Sequence, residues 1–217
     1  LDVPIDYGSN LRDVRVNSDF KASENLTFST DLNYRSNYSL APVNEANVFD
    51  RFIHGSLFAT PKYEDGTYGL STQGNNPLMF AEQQGTSKLW NENIFGSAKA
   101  QWKIVDHLTF SSQLAMRIDN IRRKDFTNAF SNTDKNTNIT RTVVNNSLTE
   151  IRDNSTEYTW NNLLLYDNAF GNHEVKALLG YSTIDNAKDS LRAYRERFYN
   201  NDIQSIGQGA DDGTKTN

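Results

Sequence analysis

The residues best suited to acid–base or metal chemistry in this sequence are its three histidines, His54, His107 and His173. None belongs to an HExxH motif, no two stand at a spacing that pairs them as metal ligands, and no nucleophile elbow is present. His107 and His173 lie in or beside short polar turns, where isolated histidines are ordinary. The sequence therefore predicts that the protein is not an enzyme, and it indicates no catalytic residue, no metal and no other cofactor.

A run of oxygen-bearing side chains is a candidate for cation binding. Asn132, Asp134, Asn136 and Asn138 stand at every second position, as ligands do at the start of a calcium loop. The run lacks the glycine and the distal bidentate glutamate of such a loop, and the charge of Lys135 opposes cation binding. A solvated, Asn-rich loop is therefore the expectation that fits these residues better.

Composition and charge exclude several broad classes of protein. The 22 basic and 27 acidic residues are scattered, and the densest basic cluster, Arg122-Arg123-Lys124, is too short to indicate nucleic-acid binding. The absence of cysteine excludes disulfides and thiolate metal sites. No apolar run is long enough for a transmembrane helix. The aromatic share of 12% is too high for a typical disordered chain, whereas the hydrophobic share of 36% is low for a large conventional core.

The strongest pattern along the chain is an alternation with a period of two residues. Uncharged side chains occupy every second position in four segments, 14–22, 26–38, 94–104 and 108–118. The positions between them are polar or charged, except Phe95 and Ala115. Because side chains alternate across a β-strand, these segments predict four strands, and a weaker alternation predicts two more. The predicted strands cover approximately residues 11–22, 25–38, 93–104, 107–121, 157–168 and 173–184, and the long loops cover 39–92, 122–156 and 185–217.

These predicted strands favour a membrane β-barrel over a one-sided soluble sheet. They run for about 10–14 residues, whereas globular strands usually have five or six and a tilted strand crosses hydrocarbon in roughly 9–11. Short turns at 23–25, 105–107 and 168–172 alternate with the long polar loops, which is the outer-membrane arrangement. A soluble sandwich would need a second apolar layer, and the long loops supply few candidate strands for one.

Aromatic residues on the uncharged face gather toward both ends of the strands, where membrane barrels carry aromatic girdles. Phe20, Phe28, Trp102, Phe110 and Tyr166 lie near the short turns, and Tyr34, Tyr38, Tyr158 and Trp160 lie toward the long loops. We therefore predict an all-β fold, an antiparallel transmembrane β-barrel segment of about six strands in three hairpins with long extracellular loops. Because six strands cannot close around water, we expect a segment of a larger barrel, one of about 22 strands.

Three stretches of the sequence resemble the barrel region of SusC-like TonB-dependent outer-membrane transporters of the Bacteroidetes, the RagA/SusC family. Arg12–Phe20 followed by Leu26–Phe28 resembles an early barrel hairpin of that family. Pro61–Gly69 with Asn75-Asn76-Pro77 resembles its first long loop, and Phe170–Tyr181 resembles a periplasmic turn and the strand after it. The order and spacing of these stretches make the resemblance more specific than any one of them.

The resemblance implies active import across the bacterial outer membrane. The substrate would be an oligosaccharide or a peptide, TonB would supply the energy, and a SusD-like surface lipoprotein would cap the extracellular mouth of a barrel that sits in outer-membrane lipid. Residues 1–217 would then be part of one barrel domain, and the plug domain and the TonB box of the family have no counterpart in this sequence. No nucleic acid is expected as a partner.

Two sets of side chains are candidates for substrate contact in such a transporter. The loop aromatics that could stack on a sugar or meet a lid partner are Tyr63, Tyr68 and Trp90, for which packing within the loops is the alternative. The charged residues expected to face the lumen, where they would shape its electrostatic field, are Arg35, Lys99, Arg117 and Asp119.

Two alternatives stay open at the level of sequence. Residues 43–55 predict a short amphipathic helix in which Val48, Phe49, Phe52 and Ile53 form an apolar stripe. We expect the stripe to pack the loop onto the barrel rim, and a docking face for the lid partner is the other interpretation. The rival to a transporter is a soluble or surface-attached β-rich module, such as an adhesin or a carbohydrate-binding domain.

Overall fold

The computed structural model describes residues 7–55, 60–71 and 73–210. These residues form β1 (Gly8–Lys21), β2 (Leu26–Pro42), α1 (Glu45–Ile53), α2 (Pro77–Gln83), β3 (Gly85–Val105), β4 (Leu108–Thr127), β5 (Phe130–Thr133), β6 (Thr140–Val143), β7 (Ser147–Phe170), β8 (His173–Glu196) and a 3-10 turn at Ile206–Gln208. Within the described residues, neither helix combines the length and the apolar character that crossing a membrane requires.

Six strands form one antiparallel sheet in the order β1-β2-β3-β4-β7-β8, and β5 and β6 form a separate hairpin. Each strand of the sheet pairs with the next one along the chain, so the sheet is a meander with β1 and β8 at its edges. The turn between β7 and β8 is tight, and Gly171 in it has a φ of 62°, a left-handed conformation that glycine adopts without strain. The predicted fold class, an antiparallel β-sheet, is confirmed.

The register of the sheet keeps the uncharged side chains on one face. Val16 pairs with Leu32, Leu32 with Gly96, Gly96 with Met116, and Met116 with Tyr158. Even-numbered positions of β1, β2, β3, β4 and β7 therefore lie on one side, where odd-numbered positions of β8 join them. We call this side the apolar face and the opposite side the polar face.

No second layer of the described residues covers the apolar face. Leu32 is 58% exposed, Leu114 is 55% exposed and Leu179 is 72% exposed. A soluble sheet of this size would bury such side chains against another sheet or a helix. The sheet is therefore a single layer whose apolar face needs an apolar surrounding from outside the described residues.

The buried cores lie in the connecting segments and where the loop-side ends of β4 and β7 meet the segment after β8. In the first, which we call the loop core, Tyr68, Leu70, Met79 and Phe80 pack with Val48, Leu78, Phe130 and Ile139. In the second, Phe126, Leu148 and Phe198 pack with Ile206. The long connections are thus folded parts of the protein with cores of their own.

A single asparagine organises the entry into α2. The side chain of Asn76 accepts a hydrogen bond from the Met79 backbone N–H at 3.1 Å, which caps the helix, and Pro77 occupies its first position. The Asn76 amide also donates to the carbonyls of Pro61 and Gly69, both at 2.7 Å. The Asn-Pro pair therefore joins the two halves of the loop between β2 and β3.

The strands extend further toward the loop side than the sequence predicted. β2 continues to Pro42, β3 begins at Gly85, and β7 begins at Ser147 rather than near residue 157. The connections shorten accordingly to 43–84 and 128–146, and β8 continues to Glu196; residues 211–217 of the third predicted loop lie outside the described residues. In these upper parts both faces carry polar side chains, so backbone pairing continues where the alternation of side chains has ended.

Candidate functional site

A shallow pocket on the polar face gathers charged and amide side chains from three neighbouring strands. The side chains that line it are Arg35, Asn37, Asn91, Asn93, Arg117 and Asp119, around a volume of about 320 Å³. It brings together three of the four residues predicted to face a lumen. The fourth, Lys99, lies on the same face opposite Ser29 and Gln113, but outside the pocket.

The two arginines of this pocket are held differently. The guanidinium of Arg35 donates to Asp13 Oδ2 through Nε at 2.9 Å and Nη2 at 2.7 Å, so β1 fixes its position. Arg117 makes no ion pair with any carboxylate of the described residues. Asn93 donates to the carboxylate of Asp119. The pocket therefore offers one cation available to an anionic group, beside amides that both donate and accept hydrogen bonds.

A second pocket of about 420 Å³ continues the first toward the loop side. The two share a boundary, because Asn37 and Asn91 of the first pocket pair in one row with Ile121 and Asp153 of the second. Its other side chains include Leu89, Ile151, Arg123 and, from α1, Glu45. Together the pockets form a continuous track along the polar face, which we call the inner track. Sequence reasoning missed the upper half because it assigned these positions to loops.

The Asn-rich run lies at the centre of the loop core. Asp134 is 1% exposed and accepts hydrogen bonds from the backbone N–H groups of Leu70, Asn136 and Thr137, all at 2.8 Å, and from the Tyr63 hydroxyl at 3.1 Å. Burial acts to raise the pKa of Asp134, but the backbone donors outweigh it and hold the pKa well below its usual range.

The expectation of a solvated loop over this run is wrong for two of its residues. Asn132 is buried, and its side chain bonds both the N–H and the carbonyl of Tyr68, at 3.4 and 3.0 Å. The oxygens of Asn132 and Asp134 are thus engaged by protein donors. Among the described residues, no group of three or more His, Cys, Asp or Glu side chains is arranged to hold a metal ion.

The three candidate aromatics occupy two different environments. Tyr68 is buried in the loop core with its hydroxyl on Glu82, and Tyr63 bonds Asp134, so both rings hold the loops together. Trp90, predicted in a loop, lies in β3 on the apolar face, 5.4 Å from the ring of Tyr38. The structure therefore places none of the three on the inner track.

The helix predicted over residues 43–55 forms as α1, and only part of its apolar stripe is packed. Val48 contacts the loop core, and the guanidinium of Arg51 lies 4.0 Å from the ring centre of Phe80. Phe52 is 74% exposed and Ile53 is 72% exposed, and Phe49 is also exposed. Within the described residues only Val48 of the stripe is packed, and packing of the other three side chains onto the barrel rim stays a prediction.

Comparisons with known proteins found a likeness in structure and none in sequence. No protein-family model and no curated protein matches the sequence. The fold is similar to a solved structure described as that of the RagAB peptide transporter, with a TM-score of 0.66 and 17% sequence identity over 94% of this chain. This chain spans 23% of the length of the matched one. The likeness therefore shows the fold, an antiparallel β-sheet that corresponds to a segment of the matched chain.

Proposed function

We propose that this chain is part of the barrel of a SusC-like, TonB-dependent importer in the bacterial outer membrane, a barrel of about 22 strands that takes up oligosaccharides or peptides. The observation that carries the proposal is the apolar face, which is continuous over six strands and uncovered. The hydrocarbon of a membrane supplies the apolar surrounding that such a face requires. A β-barrel can lie in hydrocarbon because its backbone hydrogen bonds are formed within the sheet.

The depth of the uncharged region on this face supports a membrane-spanning role. In β4 the apolar face carries no charge from Leu108 to Asn120, and the first charged residue is Arg122. In β8 it carries none from Val175 to Thr183, and Asp185 follows. These stretches, of 13 residues in β4 and nine in β8, are comparable to the roughly 9–11 residues that a tilted strand needs to cross the hydrocarbon layer.

Aromatic side chains mark the limits of this region. Near the short turns, Trp102 pairs with Phe110, and Tyr166 pairs with Leu108 in the next pair of the same face. At the other limit, on the loop side, the rings of Tyr38 and Trp90 meet at a tilt with their centres 5.4 Å apart. Aromatic rings with a polar group suit the boundary between hydrocarbon and headgroups, so these pairs support girdles on a barrel.

The polar face supports a hydrated lumen. It carries the inner track, and ion pairs cross from β1 to β2 between Arg15 and Asp31 and between Arg35 and Asp13. The likeness to a peptide transporter and the family resemblance of the sequence add the finer parts of the proposal: TonB as the energy source, a SusD-like lipoprotein as the cap, and a substrate that passes the inner track.

Cysteine labelling tests which face meets lipid, and this chain has no cysteine of its own. In the complete protein embedded in membranes, Leu32→Cys should resist a water-soluble maleimide, whereas the neighbouring Asn33→Cys on the polar face should react. Equal labelling of both would refute the proposed orientation. A compact monomer of the isolated chain without detergent would support the rival, a soluble β-rich binding module.

A further inference from the structure

Two arginines on the apolar face stand directly opposite each other. Arg122 of β4 pairs with Arg152 of β7, and both side chains are exposed. In the next row toward the loops, Lys88 pairs with Lys124. Like charges directly opposite on neighbouring strands destabilise a sheet. This arrangement therefore calls for an anion that the charges could share.

Three carboxylates lie on this part of the face, those of Glu92, Glu150 and Asp189, and they do not balance the four cations. Glu150 lies 3.6 Å from the Lys124 ammonium and 3.8 Å from the Arg152 guanidinium, so it is shared between them. Glu92 accepts a hydrogen bond from the Tyr34 hydroxyl at 3.4 Å. Within the described residues, neither Arg122 nor Lys88 has an acidic partner at ion-pair distance. The patch is left with an excess of positive charge.

The neighbours of the arginine pair indicate its depth in the proposed membrane. Trp90 pairs with Arg122 in the same row, the ring of Tyr38 contacts that of Trp90, and the uncharged stretch of β4 ends one row below, at Asn120. The guanidinium of Arg122 lies 5.0 Å from the centre of the Trp90 ring, which holds it beside the aromatic pair. Tyr and Trp pairs mark the headgroup level of a membrane, so the arginines lie where lipid phosphates would be.

We propose that Arg122 and Arg152, assisted by Lys88 and Lys124, bind the phosphorylated headgroup of a lipid in the leaflet on the loop side. The inference rests on the proposed function, since it requires the apolar face to meet lipid. Guanidinium groups match phosphate oxygens through paired N–H donors, and the bound phosphate neutralises the opposed charges. The site lies on the lateral surface rather than in a cavity, so the acyl chains, held against the apolar face below it, supply the rest of the affinity.

The test measures lipid binding to the complete protein in a non-ionic detergent, with diphosphoryl lipid A as the probe and native mass spectrometry as the readout. The double variant Arg122→Gln/Arg152→Gln should bind lipid A roughly thirtyfold more weakly, from about fivefold for each basic residue at a membrane surface. Arg122→Lys/Arg152→Lys should lie between, because it keeps the charge and loses the paired donors. The matched control is Arg192→Gln, which lies at a similar height on the polar face and should bind like the wild type.

The outcomes separate this inference from the proposed function. If the double variant inserts into membranes and binds lipid A as well as Arg192→Gln, the phosphate site is refuted and the transporter proposal stands. If every variant is soluble without detergent and binds no lipid, the membrane orientation itself is refuted. If inorganic phosphate at the same concentration displaces lipid A fully, the arginines form a site for free phosphate and the lipid assignment is overturned.

Discussion

Placing a charge in the middle of the apolar face is the most direct test of the membrane orientation. Leu114 pairs with Ala98 and Trp160, and it lies four positions before Ile118, the last apolar residue of its face before Arg122. At about 3.3 Å per residue the boundary is roughly 13 Å away along the strand, beyond the reach of an arginine side chain. Leu114→Arg should therefore cost about 2–4 kcal/mol in a bilayer.

The neighbouring position provides the matched control. Ala115 lies on the polar face between Ser97 and Thr159, so Ala115→Arg places the same side chain in the proposed lumen. Ala115→Arg should lower the free energy of unfolding by less than about 1 kcal/mol, which is the size of a cross-strand pair interaction. The assay is a denaturant titration of the complete protein folded in phospholipid vesicles. If Leu114→Arg and Ala115→Arg unfold at the same denaturant concentration, hydrocarbon does not cover the apolar face.

Four further predictions concern the loop core and the start of β3 beside it. Asp134→Asn replaces a charged acceptor by a neutral one and should cost about 1–3 kcal/mol, seen as faster amide exchange at Leu70; unchanged exchange would contradict the role of Asp134. Folding lowers the pKa of Asp134, so its contribution to stability is complete above the unfolded pKa of about 3.9 and is lost as the pH falls through the folded pKa. Amide exchange at Leu70 should therefore accelerate below about pH 4 in the wild type and not in Asp134→Asn. Phe80→Ala should cost about 3–5 kcal/mol locally and open the loop to proteolysis while the sheet persists. Gly85→Ala should disturb the start of β3, since the φ of Gly85 is +113° and an added Cβ would lie 2.0 Å from the carbonyl oxygen of Phe126; an unchanged Tm would contradict this.

The sequence was sufficient to predict those parts of the sheet in which one face is apolar and the other is polar. A strand whose faces see different solvents must alternate, so the apolar positions from Val14 to Ile118 could be assigned to one face before the register was known. The same parity placed Arg35, Arg117 and Asp119 on the other face, where they line one pocket. The ends of the strands could not be found this way, because both faces become polar near Arg122 and Arg152.

The buried parts of the connections were beyond sequence reasoning for a different reason. Asp134 and Asn132 are polar residues in an Asn-rich run, and such residues are usually exposed. Their burial depends on donors some 64 residues earlier in the chain, at Leu70 and Tyr68. No local pattern encodes a partner at that separation, and the short alternation within β5 and β6 was too brief to separate from chance.

The hydrogen bonds at Asp134 and Asn132 also limit how the loop side of the sheet can move. They link the segment between β2 and β3 to the β5–β6 hairpin through at least four contacts, with the loop core packed around them. Two segments joined in this way shift as one rigid body, since separating them would strand a buried carboxylate. Any opening of the proposed lumen on this side therefore has to move both segments together.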